Sequence, residues 1–150
     1  MDLLSTNVKN SCLRNASLLI HSACLGSECK KILDDLTKGK VPLETCMEKT
    51  HMNTVGFKIA TMIRGSSPAE LAVLTMNGSP HCVQLHFAVE QAVQQTGSEL
   101  KPRHFVVEKD EIREVTRETV RLARHLRDLD MLLESSKKTS MSHSGKAQKT

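Results

Sequence analysis

Short apolar runs alternate with amphipathic helical segments along the chain, and this alternation restricts the fold more than any other feature. The runs span residues 17–23, 41–45, 70–76 and 103–108. The first is almost continuously apolar, as expected for a strand covered on both faces. The segments between and after them carry apolar side chains at helical spacing, and they span residues 27–39, 50–64, 82–96 and 116–133. Such alternation predicts a mostly parallel sheet with helices on both faces, joined by right-handed crossovers.

The predicted architecture is a small three-layer, flavodoxin-like α/β domain with about four strands in the order 2-1-3-4. A length of 150 residues suits one domain that can bury a core of its own. We assign residues 1–135 to this single domain. Residues 136–150 are polar, with few apolar side chains and several lysines, which predicts a disordered basic tail.

Charge and apolar content exclude two classes of partner. Four of the 21 basic residues lie in segment 135–150, which contains no acidic residue, and without them the basic and acidic residues are equal in number. The folded part therefore lacks the basic face of a nucleic-acid-binding protein. No charged leader precedes a long apolar core, and no apolar run could span a bilayer. We expect a cytoplasmic protein that binds neither nucleic acid nor membrane.

Four of the five cysteines follow predicted strands. Cys24 and Cys29 come after the first strand, Cys46 after the second and Cys82 after the third. In a 2-1-3 order these strands are neighbours, and their carboxyl ends meet at the edge where open α/β sheets bind ligands. We therefore expect the four sulfurs to gather there. Cys12 precedes the first strand and is expected at the other edge.

Three interpretations of these thiols are open. Four thiolates at Cys24, Cys29, Cys46 and Cys82 suit an iron–sulfur cluster or zinc, which predicts an electron-transfer protein or subunit, or a zinc-binding structural protein. A thiol in a loop that enters a helix, as at Cys24, has the position of a nucleophile or of a redox switch resolved by Cys29. The third interpretation is packing, since cysteine often behaves as a small apolar residue.

Three histidines lie near the same predicted edge. His51, His81 and His86 each stand in or just after a strand-to-helix loop, and any of them could replace a sulfur as a metal ligand. The alternative for each is a solvated or helix-capping histidine.

The cysteine layout resembles that of the iron–sulfur (delta) subunit of methyl-viologen-reducing hydrogenases and heterodisulfide reductases. The matching pieces are Cys24 with Cys29, then Cys46, and then "NGSPHCVQLH", which carries Cys82. The first pair is spaced more widely than in that family, and the third loop has one cysteine in place of two. The resemblance implies a small electron-relay protein that carries an iron–sulfur cluster and works with a redox partner protein.

The turn after the third strand, "NGSP", also resembles the phosphate loop of flavodoxin-like FMN reductases. Asn77, Gly78 and Ser79 are the candidate cofactor-binding residues there, because backbone N–H groups at a helix N-terminus can hold a phosphate. Asn-Gly-Ser-Pro is equally a good turn sequence. A chain whose three aromatic residues are all Phe offers little surface for a flavin ring.

Overall fold

The computed structural model describes residues 1–144, including the side chains of residues 1–137. The strands are β1 (Ser17–Ser22), β2 (Val41–Thr45), β3 (Glu70–Met76), β4 (Arg103–Glu108) and β5 (Glu111–Val115). The helices are α1 (Leu25–Glu28), α2 (Lys30–Thr37), α3 (Met52–Ser66), α4 (Pro80–Thr96), α5 (Arg117–Leu122) and α6 (Leu126–Ser144). None of these helices is long and apolar enough to cross a bilayer within the described part of the chain.

The sheet confirms the predicted class and strand order. Its order is β2-β1-β3-β4-β5, and β1 through β4 pair in parallel. The predicted number of about four strands is too low, because β5 adds an antiparallel edge strand. A tight turn at Lys109 and Asp110, both with positive φ (49° and 62°), connects β4 to β5, as in a short hairpin. The sequence pattern misses β5 because its side chains are largely exposed and charged.

Apolar cores fill both faces of the sheet. Leu18, Ile20 and Val73 point to the face covered by α3 and α4. The alternate residues, among them Leu19 and Leu74, point to the face covered by α1 and α2. This division follows from the strand period of two, which sends neighbouring side chains to opposite faces.

The predicted helix at 27–39 is two shorter helices. The two helices, α1 and α2, are separated at Cys29, whose backbone is not helical (φ −139°, ψ 46°). Cys29 is buried against apolar side chains of the sheet. The helical spacing of Ile32, Leu33 and Leu36 does identify the face of α2 that packs on the sheet.

The amino-terminal residues cover the outer edge of β2. Leu3 N–H donates to the Glu44 carbonyl at 2.8 Å, and Glu44 N–H donates to the Met1 carbonyl at 2.8 Å. The Lys58 Nζ of α3 donates to the carbonyls of Leu4 (2.9 Å) and Thr6 (2.6 Å). An edge covered in this way is protected from pairing with another chain.

The chain divides into two compact units, Met1–Arg117 with the whole sheet and a second that begins at Glu118. The predicted helix at 116–133 is interrupted between α5 and α6. The helical spacing of Leu122, Leu126, Leu129 and Leu133 predicts a buried stripe, and this is wrong for Leu126 and Leu133, whose side chains are 75% and 53% exposed. Periodicity identifies an apolar stripe but not whether a second surface covers it.

Helix α6 includes the first part of the segment for which the sequence predicts a disordered basic tail. It runs from Leu126 to Ser144, and this stretch contains no glycine or proline that would end it. The remaining residues of the predicted tail, 145–150, lie outside the described residues.

Candidate functional site

The carboxyl ends of β1 and β3 form the point at which the sheet changes direction. The chain leaves β1 toward β2 on one side and leaves β3 toward β4 on the other. The helix that follows β1 packs on one face of the sheet, and the helix that follows β3 packs on the opposite face. Open α/β sheets bind their ligands in the crevice outside such a switch point. Cys24 follows β1 at this edge, and the turn at 77–79 follows β3.

A pocket of about 310 Å³ lies beside the turn that follows β3. Residues 75–80 line it, together with Val83 and His86 of α4 and Val106 of β4. Val106 alternates with Phe105 and Val107, which point to the α1–α2 face, so the pocket lies on the face of α4. Its lining combines apolar side chains with a few polar ones, which is the usual composition of a small-molecule site.

The turn itself is fixed by hydrogen bonds. Gly78 has φ +77°, a left-handed conformation that glycine adopts without strain. Ser79 caps α4, and its side chain accepts a hydrogen bond from Cys82 N–H at 3.2 Å. Asn77 donates its backbone N–H to the Val107 carbonyl (2.8 Å) and its side-chain amide to Glu108 Oε2 (2.7 Å). The three predicted cofactor-binding residues all line the pocket. The side chains of Asn77 and Ser79 are already hydrogen-bonded within the protein.

A chain of hydrogen-bonded polar side chains runs from this pocket along α4, buried at Thr75, His86 and His104, partly exposed at Glu90 and exposed at Arg117. Thr75 Oγ1 lies 2.8 Å from His86 Nε2, and His86 Nδ1 lies 2.9 Å from His104 Nδ1. His104 Nε2 lies 2.8 Å from Glu90 Oε1. Arg117 holds both carboxylate oxygens of Glu90, with Nη2 2.7 Å from Oε2 and Nε 2.9 Å from Oε1. We call these five residues the polar chain.

Burial keeps both histidines of the polar chain neutral near pH 7. Desolvation, aided by the proximity of His104, lowers the pKa of His86 to about 3. Desolvation also lowers the pKa of His104, although the hydrogen bond to Glu90 acts in the other direction. Burial alone would raise the pKa of Glu90, but the hydrogen bonds from Arg117 and His104 outweigh it and hold that pKa below its ordinary value. Glu90 is therefore ionised and the two imidazoles are not.

Nearly the whole chain is similar to one known protein family. A family model described as a Rossmann-like domain matches residues 10–148. The chain belongs to the Rossmann-like domain family. Neither the curated proteins nor the solved structures include a match to it. The pocket beside β3 thus lies at the carboxyl edge of a Rossmann-like sheet, next to the switch point between β1 and β3.

A larger opening of about 550 Å³ lies at the opposite edge of the Rossmann-like sheet. It is lined by the first residues of β3, by Arg103 of β4 and by the segment 98–101. Its charged side chains are of both signs, with Glu70 and Glu99 beside Lys40 and Lys101. The amino edge is not where α/β sheets bind ligands, and the mixed charge favours no one class of ligand, so the smaller pocket is the better candidate.

The four strand-exit cysteines share the carboxyl edge but differ in their surroundings. Cys24 is exposed, with its sulfur 3.6 Å from Ser22 Oγ. Cys29 is buried among apolar residues on the α1–α2 face, whereas Cys82 is buried on α4, the helix of the opposite face. Cys46 is partly exposed after β2. Among the residues that the structure describes, no group of three or more His, Cys, Asp or Glu side chains could hold a metal ion.

The other predicted site residues have separate roles or positions. His51 caps α3 by accepting a hydrogen bond from Asn53 N–H at 3.2 Å. His81 is exposed, and His86 belongs to the polar chain. Cys12 is exposed in a short 3-10 helix before β1. Burial raises the pKa of the Cys29 thiol, and the nearby carboxylates of Asp110 and Glu28 add to that effect, so Cys29 is a poor nucleophile.

The sequence gives partial signals for the polar chain. His86 and Glu90 stand four residues apart on α4, a spacing that places them on one side of a helix, and His104 lies inside a predicted apolar strand. Pairing these two observations would have identified three of its members. The interaction with Arg117 joins positions 27 residues apart, and local pattern does not reveal it.

Proposed function

We propose that this Rossmann-like domain binds a small organic molecule in the pocket between the β3–α4 turn and β4. The observation that carries the proposal is the position of this pocket at the carboxyl edge, against the strand that borders the switch point. Its volume of about 310 Å³ is at the lower end for small-molecule sites. That volume fits a compact ligand with one or two rings better than a dinucleotide.

The lining supports the same proposal. Met76, Pro80, Val83 and Val106 supply apolar surface, and Val83 is 36% exposed at the pocket wall. Thr75 supplies a polar group at a defined place. Ligand sites of this kind gain affinity from apolar contact and orientation from a few polar groups.

The test is a titration of ¹⁵N-labelled protein with benzamide and with phenol, two compact aromatic probes. We expect the backbone amide signals of residues 76–79 and of Val83 and Val106 to shift. Val83→Phe fills the pocket and should abolish these shifts. Gln91→Phe is the matched control, because Gln91 is an exposed residue two turns further along α4 that does not line the pocket. Shifts that survive Val83→Phe, or that are absent from the wild type, would refute the proposal.

The iron–sulfur electron-transfer function, with its redox partner protein, stays a prediction, as do the zinc and Cys24-thiol alternatives. The shared edge of the four strand-exit cysteines supports a metal centre, and the burial of Cys29 and Cys82 on helices of opposite faces argues against it. Iron, sulfide and zinc contents of anaerobically purified protein test it directly. A centre with four thiolate ligands predicts that Ser at Cys24, Cys29, Cys46 or Cys82 removes the metal and that Cys12→Ser does not.

A further inference from the structure

The hydrogens of the polar chain can be placed by starting from its charged end. Glu90 is ionised and held by Arg117, and a carboxylate can only accept hydrogen bonds. The 2.8 Å contact to His104 Nε2 therefore requires that this nitrogen carries the hydrogen. A neutral imidazole has one N–H and one bare nitrogen, so His104 Nδ1 is bare.

The bare Nδ1 of His104 determines where His86 carries its hydrogen. His104 Nδ1 lies 2.9 Å from His86 Nδ1, and because the former is bare, the latter must donate. His86 Nε2 is then bare and accepts the hydrogen of the Thr75 hydroxyl, whose oxygen lies 2.8 Å away. All three hydrogen bonds run in one direction, from Thr75 toward Glu90. Each one fixes the next, and together they leave no choice of tautomer.

This direction determines what Thr75 can offer to a ligand. A hydroxyl has one hydrogen and two lone pairs, and the hydrogen is committed to His86. Thr75 and His86 both line the pocket, and their exposed fractions are only 1% and 3%, so a ligand can reach them only from within it. Building on the proposed function, we propose that Thr75 Oγ1 accepts a hydrogen bond from the ligand, so that the ligand class is a small molecule presenting an N–H or O–H donor, such as a primary amide, an amine or an alcohol.

The side chains around Thr75 offer an anion no opposite charge. The Ser79 oxygen accepts a hydrogen bond from Cys82 N–H in capping α4, and the side-chain amide of Asn77 donates to Glu108. The carboxylate of Glu108 therefore lies next to the turn that a phosphate would occupy. No cationic side chain is among the residues that line this pocket in the described structure. At Thr75 itself a carboxylate or phosphate would meet lone pairs, and no cationic side chain of the lining would offset that repulsion.

The tautomers are measurable without any ligand. Long-range ¹H–¹⁵N correlation spectra of ¹⁵N-histidine-labelled protein at neutral pH distinguish a protonated from a bare ring nitrogen. We expect His86 to carry its hydrogen on Nδ1 and His104 on Nε2. A hydrogen on His86 Nε2 would make Thr75 the acceptor of that hydrogen bond and would overturn the inference.

Ligand preference is tested with probes of matched shape. Benzamide carries a donor NH₂ group where benzoate carries an anionic oxygen. Phenol carries a donor hydroxyl where fluorobenzene carries a fluorine. We expect benzamide and phenol to shift the amides of residues 76–79 at about three- to tenfold lower concentration than their partners, the ratio that one neutral hydrogen bond supplies. Thr75→Val should remove the preference, and Thr75→Ser should restore it.

The two proposals fail in different ways. Equal or tighter binding of benzoate, phenyl phosphate or fluorobenzene in the pocket would overturn the donor requirement and leave the binding function standing. Absence of any pocket shift with all probes would overturn the binding function, and the tautomer spectrum would still report the direction of the polar chain.

Discussion

The two faces of the sheet bury different kinds of side chain. The face under α3 and α4 holds the larger apolar core and, at its β4 side, the polar chain. The face under α1 and α2 holds a smaller core into which Cys29 packs. Buried polar groups are costly unless every one is hydrogen-bonded, and among the described residues every buried side-chain nitrogen and oxygen has a partner. The polar chain meets this requirement, because each of its side chains is hydrogen-bonded to the next.

The largest effect should come from the apolar core under α4. Leu85 is fully buried, and Leu85→Ala should lower the free energy of unfolding by about 3 kcal/mol. Leu33→Ala is the matched change on α2, where residues 30–37 are all at least partly exposed, and should cost about half as much. Urea unfolding of the two variants measures both values, and equal losses would contradict the difference between the faces.

The next effect comes from breaking the polar chain in its middle. His104→Leu leaves the Nδ1–H of His86 without its acceptor and removes the Nε2–H that Glu90 accepts, and an unsatisfied buried donor costs about 2 kcal/mol. His81→Leu is the control, since His81 is exposed on the first turn of α4 and should change stability by less than about 0.5 kcal/mol. A harmless His104→Leu would show that the polar chain contributes nothing to stability.

Much of this architecture can be predicted from the sequence, because apolar periodicity reports burial. The bounds of β2, β3 and β4 agree with the apolar runs at 41–45, 70–76 and 103–108. The edge strand β5 is missed because an exposed edge needs no apolar run. The position of the four strand-exit cysteines at one edge follows from topology, and so does their division between the two faces, because the helices after β1 and β3 pack on opposite faces of the sheet. The break at Cys29 is a tertiary effect that the sequence pattern does not reveal.

The polar chain also makes stability depend on acidity. His86 has a pKa of about 3 in the folded protein against about 6.5 when unfolded, so the unfolded state takes up the proton first as the pH falls. The contribution of His86 is complete above about pH 6.5 and is lost progressively toward pH 3. Between pH 7 and pH 5.5 the protein should lose about 1.3 kcal/mol from this residue, and His104, whose pKa is also lowered, acts in the same direction.

His86→Asn separates this effect from general acid destabilisation. Asparagine does not titrate, so the loss in unfolding free energy between pH 7 and pH 5.5 should be smaller in the variant than in the wild type by about 1.3 kcal/mol. The control is His51→Asn, because His51 is an exposed cap of α3. Identical pH dependence in wild type and His86→Asn would mean that the pKa of His86 is not lowered in the folded protein.

The smallest effects distinguish the two thiols that follow β1. Cys29 is 8% exposed among apolar side chains, so Cys29→Ser places a hydroxyl where it finds no water and should cost about 1 kcal/mol. Cys24→Ser changes an exposed side chain and should cost less than about 0.5 kcal/mol. In the native protein iodoacetamide should modify Cys24 first, since Cys29 is buried and its pKa is raised. Mass spectrometry of partially alkylated protein gives this order directly. If Cys29 reacted as fast as Cys24, the break between α1 and α2 would have to open readily, and the α1–α2 face would be the less stable of the two.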